Sequence, residues 1–183
     1  MNADAVKNFV IAGHGNFETV KSMLEANPAL LNTAHEWQPD DDETALQAAS
    51  HVGDREIAIY LLERGAPLTI STAAMLGDVV TLEELLTRDP TLIASSGAHG
   101  IPLLVHAVMS DNAALVSDLI SRGATSGASM ALNIAVDIGN LEVVRVLLTL
   151  TQPDLHWKNM KGKSALELAA GNPELLSFLE GIS

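Results

Sequence analysis

The strongest constraint on this chain is that it repeats itself. Six segments share one pattern: "IAGHGNFETVKSMLEAN", "ASHVGDREIAIYLLERGA", "AAMLGDVVTLEELLTRDP", "AVMSDNAALVSDLISRGA", "AVDIGNLEVVRVLLTLT" and "AAGNPELLSFLEG". Each has a helix end built of small residues, then a Gly (Asp111 in the fourth), then an Asn or Asp. The latter are Asn16, Asp54, Asp78, Asn112, Asn140 and Asn172. Their side-chain oxygens suit them to accept an orphan backbone N–H, so each predicts a helix start. Glu18, Glu56, Glu142 and Glu174 follow in the first turn, where the helix dipole favours an anion. Pro173 takes the first helical position, where its missing N–H costs nothing.

Behind each cap the apolar residues keep one phase. Val20, Met23 and Leu24 correspond to Ile57, Leu61 and Leu62, to Leu82, Leu85 and Leu86, to Val116, Leu119 and Ile120, and to Val144, Leu147 and Leu148. That spacing is one face of a helix. A shorter helix is predicted before each Gly, in "ETALQAAS", "ISTAAM", "IPLLVHAVM", "MALNIAVD" and "KSALELAA", with small residues recurring at Ala49, Ala73, Ala107, Ala135 and Ala169. One such helix pair cannot bury its own apolar face, but a stack of pairs can, which is the logic of a solenoid. Only six of the 183 residues are aromatic while 48% are hydrophobic, so the core must be aliphatic, as stacked helices require.

The repeat resembles the ankyrin family, whose pattern carries T-P-L-H-x-A, a Gly, a V-V-x-L-L helix and a closing G-A. "ETALQAASHVGDREIAIYLLERGA" keeps Thr44, Leu46, Ala49, Gly53, Gly65 and Ala66; "GIPLLVHAVMSDN" keeps Gly100 and Leu104; "KGKSALELAA" keeps Gly162, Ser164 and Leu166. The family's histidine is replaced by Gln47, Val105, Asn133 or Glu167. The resemblance implies an all-α ankyrin-repeat solenoid of about six repeats with degenerate capping repeats, one domain over residues 1–183. It also implies a non-catalytic protein–protein interaction module whose concave face, made of finger tips and first helices, meets a partner.

The repeat spacing is uneven. The Gly-position residues fall at Gly15, Gly53, Gly77, Asp111, Gly139 and Gly171, whereas a regular ankyrin repeat is ~33 residues. The short intervals, across "GAPLTISTAA" and "GATSGASMALNIA", leave no room for the extended hairpin, or finger, that links repeats. Pro67 to Ile70 and Thr125 to Met130 are therefore predicted to project nothing. The long intervals, "NPALLNTAHEWQPDDDET", "DPTLIASSGAHGIP" and "TQPDLHWKNMKGKS", keep a finger. The alternation resembles bacterial ankyrin proteins that mix full and finger-less repeats.

Charge and motif content narrow the function classes. A net charge of −13 repels phosphate backbones and anionic lipid, so neither nucleic acid nor membrane is an expected partner. No window approaches the ~20 apolar residues of a membrane span. The start "MNADAVKNFVIAGHG" lacks a signal peptide's basic, long-apolar design, and a cytoplasmic location and a monomer are expected. The chain has no cysteine, so disulfides and thiolate metal sites are excluded. His14, His35, His51, His99, His106 and His156 are scattered and show no paired metal-ligand spacing. "PDDDE" lacks the D-x-D-x-D-G spacing of a calcium loop, and no serine has a base placed beside it. No catalytic residue, cofactor or metal is expected. A small-molecule or metal-dependent enzyme, and a regulatory or neutralising subunit of an enzyme, are the alternatives.

The chain's two tryptophans share an address. Trp37 lies seven residues before Thr44, and Trp157 seven before Ser164. Each ring either packs on the base of a neighbouring finger or anchors a partner; both uses exploit an amphipathic indole. The first finger carries Glu36, Asp40, Asp41, Asp42 and Glu43, and the last carries Lys158, Lys161 and Lys163. Four repeat steps separate the two by roughly 40 Å, far beyond the Debye length of ~8 Å. Their opposite charge can act only on something outside the molecule. The expected partner-binding residues are His35, Glu36, Trp37, Asp40, Asp41, Asp42, His99, His156, Trp157, Lys158, Met160 and Lys161. The partner is a protein that the sequence does not identify.

Overall fold

The six Asn and Asp caps set the frame. In the computed structural model, which describes residues 2–182, each begins a helix by accepting a backbone N–H through its side chain. The accepting oxygens are on Asn16 (from Thr19 N, 3.1 Å), Asp54 (Ile57 N, 2.9 Å), Asp78 (Thr81 N, 3.1 Å), Asn112 (Leu115 N, 3.0 Å), Asn140 (Val143 N, 2.9 Å) and Asn172 (Leu175 N, 3.2 Å). Each such cap is worth about 1 kcal/mol. The helices they start are α2 (Phe17–Ala26), α4 (Arg55–Glu63), α6 (Val79–Arg88), α8 (Ala113–Ser121), α10 (Leu141–Leu150) and α12 (Pro173–Glu180). Before each lies a partner helix: α1 (Ala3–Ala12), α3 (Ala45–Val52), α5 (Ile70–Leu76), α7 (Leu103–Val108), α9 (Ala128–Ile138) and α11 (Ala165–Ala169). The turn between partners is left-handed at Gly53 (φ 77°) and Gly139 (φ 88°), and Asp111, in the matching place, also adopts φ 61°. Aspartate is among the few side chains that tolerate that region.

Helices pack by repeat and between repeats. Each first helix contacts its own second helix and the first helix of the next pair, from α1 through α3, α5, α7 and α9 to α11. The buried aliphatics fall into two clusters. One joins Phe9, Val20, Leu24, Leu46, Ile57, Leu61 and Met75; the other runs from Ile70 through Leu104, Leu119 and Leu147 to Leu179. Where they meet, α3, α5 and α7 bury polar side chains. Ser50 Oγ donates to Leu46 O (2.7 Å) and accepts from Thr72 Oγ1 (2.8 Å), and His106 Nδ1 lies 3.3 Å from Ser50 O. The chain is thus mostly helical, with one correction to the all-α expectation. Residues Ala34–Gln38 (β1) and Asp41–Thr44 (β2) form an antiparallel hairpin.

The fingers differ from one another. The first is that hairpin, with His35 opposite Glu43 and an irregularity in register between Glu36 and Gln38, at Trp37. The second is a single bridge, Ser96 to Pro102, over a 3-10 turn at Ala98–Gly100. The third has no strand pairing. Its local polar groups take the backbone instead: Asp154 Oδ1 accepts from His156 N, and Asn159 Oδ1 from Lys161 N and Lys163 N (2.9, 2.9 and 3.1 Å). The joints before α5 and α9 carry no hairpin, as their length predicts.

Candidate functional site

The first finger buries a carboxylate. Alternation along β2 turns Asp42 outward and Glu43 inward, and Glu43 is fully buried. An ion taken out of water costs several kcal/mol unless other groups surround it. Four do. Trp37 Nε1 donates to Glu43 Oε2 at 2.7 Å, reaching back from the irregular position in β1. His51 Nδ1, from the last turn of α3, is 3.0 Å from Oε1. His99 Nε2, from the turn of the second finger, is 3.4 Å from Oε1. His14 Nε2, from the turn after α1, is 3.6 Å from Oε2. The rings of His14 and His51 meet edge-to-face at 4.8 Å, as do those of His51 and His99 at 5.2 Å.

A second layer fixes these rings. His14 Nδ1 lies 3.1 Å from Val10 O, which makes it a donor and leaves Nε2 facing the cluster. Asp41 grips His99 twice, accepting from its backbone N (3.0 Å) and pairing with Nδ1 (2.8 Å). His35 stacks edge-to-face on Trp37 at 4.6 Å, and Lys7 Nζ sits 5.9 Å above the indole. Titration follows this geometry. Burial pushes the Glu43 carboxyl up, but His51 and the Trp37 N–H, with the charges of His51 and His14, hold it below its ordinary value. Burial lowers His99, yet Asp41 and Glu43 together raise it. The hydrogen bond to His99 lowers Asp41. His106, buried among α3, α5 and α7, is pushed down to about 4 by burial, with the Ser50 carbonyl pulling the other way.

The structure divides the expected partner-binding residues into two groups. His35, Trp37, Asp41 and His99 come together around Glu43, while Glu36, Asp40 and Asp42 stay exposed on the hairpin. His156, Trp157, Lys158, Met160 and Lys161 sit apart on the third finger. There Trp157 is half-buried, its carbonyl accepting from Asn133 Nδ2 at 3.3 Å; Lys158 Nζ is 3.9 Å from Glu167, and Met160 is fully exposed.

Sequence reasoning placed His14, His51 and His99 on separate repeats and stopped there. The expectation of no metal rested on that dispersal, and the fold removes its basis, because four potential donor side chains converge. Spacing along the chain is the wrong measure in a stack, where residues one repeat apart are neighbours. His14 stands one residue, and His51 two residues, before the Gly of consecutive repeats, and that near-match in place is the signal that was available.

The ankyrin-repeat family model matches residues 41–73, from β2 through α3 and α4 into α5. The matched segment contains two of the four converging side chains, Glu43 and His51. No curated protein matches the chain. Ankyrin repeats are generally protein-interaction modules, and the family is typically non-enzymatic. No helix among the described residues is long and apolar enough to cross a membrane.

Proposed function

We propose that the chain is a non-catalytic protein-binding module: a solenoid of six ankyrin-type helix pairs in one domain that meets a protein partner through its finger tips and first helices. The observation that carries this reading is the third finger. It holds a fully exposed methionine, Met160, and a half-buried Trp157 within a rim of Lys158, Lys161 and Lys163. An exposed apolar side chain on a loop that also carries exposed lysines suits an anchor with steering charge beside it. The acidic hairpin at the other end offers the opposite charge to the same partner.

Trp37 is a poor probe of this reading, because its indole also holds Glu43. Met160→Asp and Trp157→Ala test it more cleanly. Affinity capture with the full chain, followed by cross-link mapping of whatever is retained, should place the partner on the finger face. Both variants should then weaken the isolated complex at least tenfold. Loss of the complex through Val80→Asp, on the exposed surface of α6, with both finger variants binding normally, would put the interface elsewhere.

A further inference from the structure

We propose that His14, Glu43, His51 and His99 form a binding site for one divalent transition-metal ion of the zinc type, which clips the first finger to the turn after α1, to the last turn of α3 and to the second finger. The donor set comes first. Three imidazoles and one carboxylate suit zinc and its first-row neighbours; calcium and magnesium require oxygen donors throughout.

Geometry supports the same assignment. One ligand atom from each of the four side chains lies within 4.8 Å of all the others. Zinc bonds of about 2.0–2.1 Å in a tetrahedron place donors roughly 3.3 Å apart. The approaches of His51 (3.0 Å) and His99 (3.4 Å) to Glu43 Oε1 bracket that value, and His14 Nε2 stands 3.6 Å from the other carboxylate oxygen, Oε2. Small rotations would close the remaining gaps.

Two further observations point independently to a ligand. Glu43 Oε1 and His51 Nδ1 are both buried and, although 3.0 Å apart, neither meets hydrogen-bond geometry with any partner. Buried polar atoms without a hydrogen bond are rare, and both of these belong to side chains of the four-donor cluster. The surrounding bonds also orient the rings as ligand-supporting bonds do. Val10 O takes the Nδ1 side of His14 and Asp41 the Nδ1 side of His99, so both Nε2 atoms face inward, while Trp37 Nε1 steadies the carboxylate. His14 and His99 remain 30% and 32% exposed, which gives an ion a way in.

The inference stands apart from the proposed protein-binding role. Its test uses the purified full chain, stripped with a chelator and titrated with Zn²⁺ by calorimetry, with Co²⁺ as a spectroscopic probe. The expected result is one ion per chain, a visible absorption band of tetrahedral Co²⁺, and a higher Tm with Zn²⁺ than with chelator. His14→Ala and His99→Ala, at partly exposed positions where the fold should survive, should each weaken binding by at least 100-fold. Asp41→Asn, which supports the ligand His99 without being a ligand itself, should weaken it about 10–100-fold. Circular dichroism confirms that each variant is folded. The proposal is overturned if the folded wild-type chain shows no saturable one-to-one binding. It is overturned equally if both histidine variants bind Zn²⁺ as tightly as the wild type, since the ion would then be adventitious.

Discussion

The first and third fingers carry tryptophan at the same repeat position, yet the two rings have different work. Trp37 sits in a paired hairpin and donates to a buried carboxylate, inside a knot drawn from three repeats. Trp157 sits in a loop built of turns, and what fixes it is main chain, held by Asn133 from α9. A repeat specifies where a side chain stands. What that side chain does is decided by the neighbouring repeats, which put Glu43, His51 and His99 beside one indole and not the other. The comparison predicts that the first finger is part of the folded core energetically and the third is not.

The largest test removes the carboxylate. Glu43→Ala deletes a fully buried group facing Trp37 and three histidines, and should cost about 3 kcal/mol or more in urea unfolding of the chelator-treated protein. Lys161→Ala on the third finger should stay within about 0.5 kcal/mol. Equal effects would erase the distinction between the fingers.

Acid should act on the same end of the molecule. His106 has a folded value of about 4 against an ordinary 6.5, so the unfolded chain binds its proton first. The contribution of neutral His106 is complete above pH 6.5 and is lost as pH falls from 6.5 towards 4, a span worth about 3 kcal/mol. Glu43, lowered from its ordinary 4.5, adds to the loss below that value as it protonates. His99 works in the other direction: its raised value stabilises the fold below pH 6.5, and this is lost as pH rises through the folded value. Because His106 starts lower and is buried deeper, stability should decline on acidification from pH 6.5, and His106→Gln should flatten that decline. Hydrogen exchange at pH 5 should show α3 and α7 opening before α9 and α10. A stability profile that is flat from 6.5 to 4 would mean that His106 is not held neutral.

How much of this was legible beforehand follows the same division. The six caps, the apolar faces and the hairpin-less joints are local patterns, and the structure carries each where the residues put it. The distinction between the fingers was not local. "HEWQPDDDET" reads as an exposed acidic tip, and four of its five acids are indeed adjacent to solvent or to His99, but Glu43 belongs to the inward side of β2. Only the stacking of α1 on α3, and of the second finger on β2, brings histidines to it. The third finger was expected to pair as a hairpin like the first. Its Asp154 and Asn159 side chains satisfy the backbone locally and no ladder forms.

The finest test exchanges each indole for a phenyl ring. Phenylalanine keeps an aromatic body but loses the Nε1–H and part of the ring area; because the ring loss is common to both variants, their difference reports mainly on the one hydrogen bond. At Trp37 that bond runs 2.7 Å to a carboxylate with no exposure to water. Bonds to charged groups contribute about 1.5–3 kcal/mol, and the lower end applies here because Trp37 itself is 38% exposed. Trp37→Phe should therefore cost about 1.5 kcal/mol. At Trp157 the hydrogen bonds that hold the residue use its backbone N and O, which the substitution leaves in place. Trp157→Phe should change stability by less than about 0.5 kcal/mol. If Trp157→Phe instead costs as much as Trp37→Phe, the third finger is as integral to the fold as the first. Its exposed Met160 would then stand on a rigid base, and the two fingers would differ in chemistry alone.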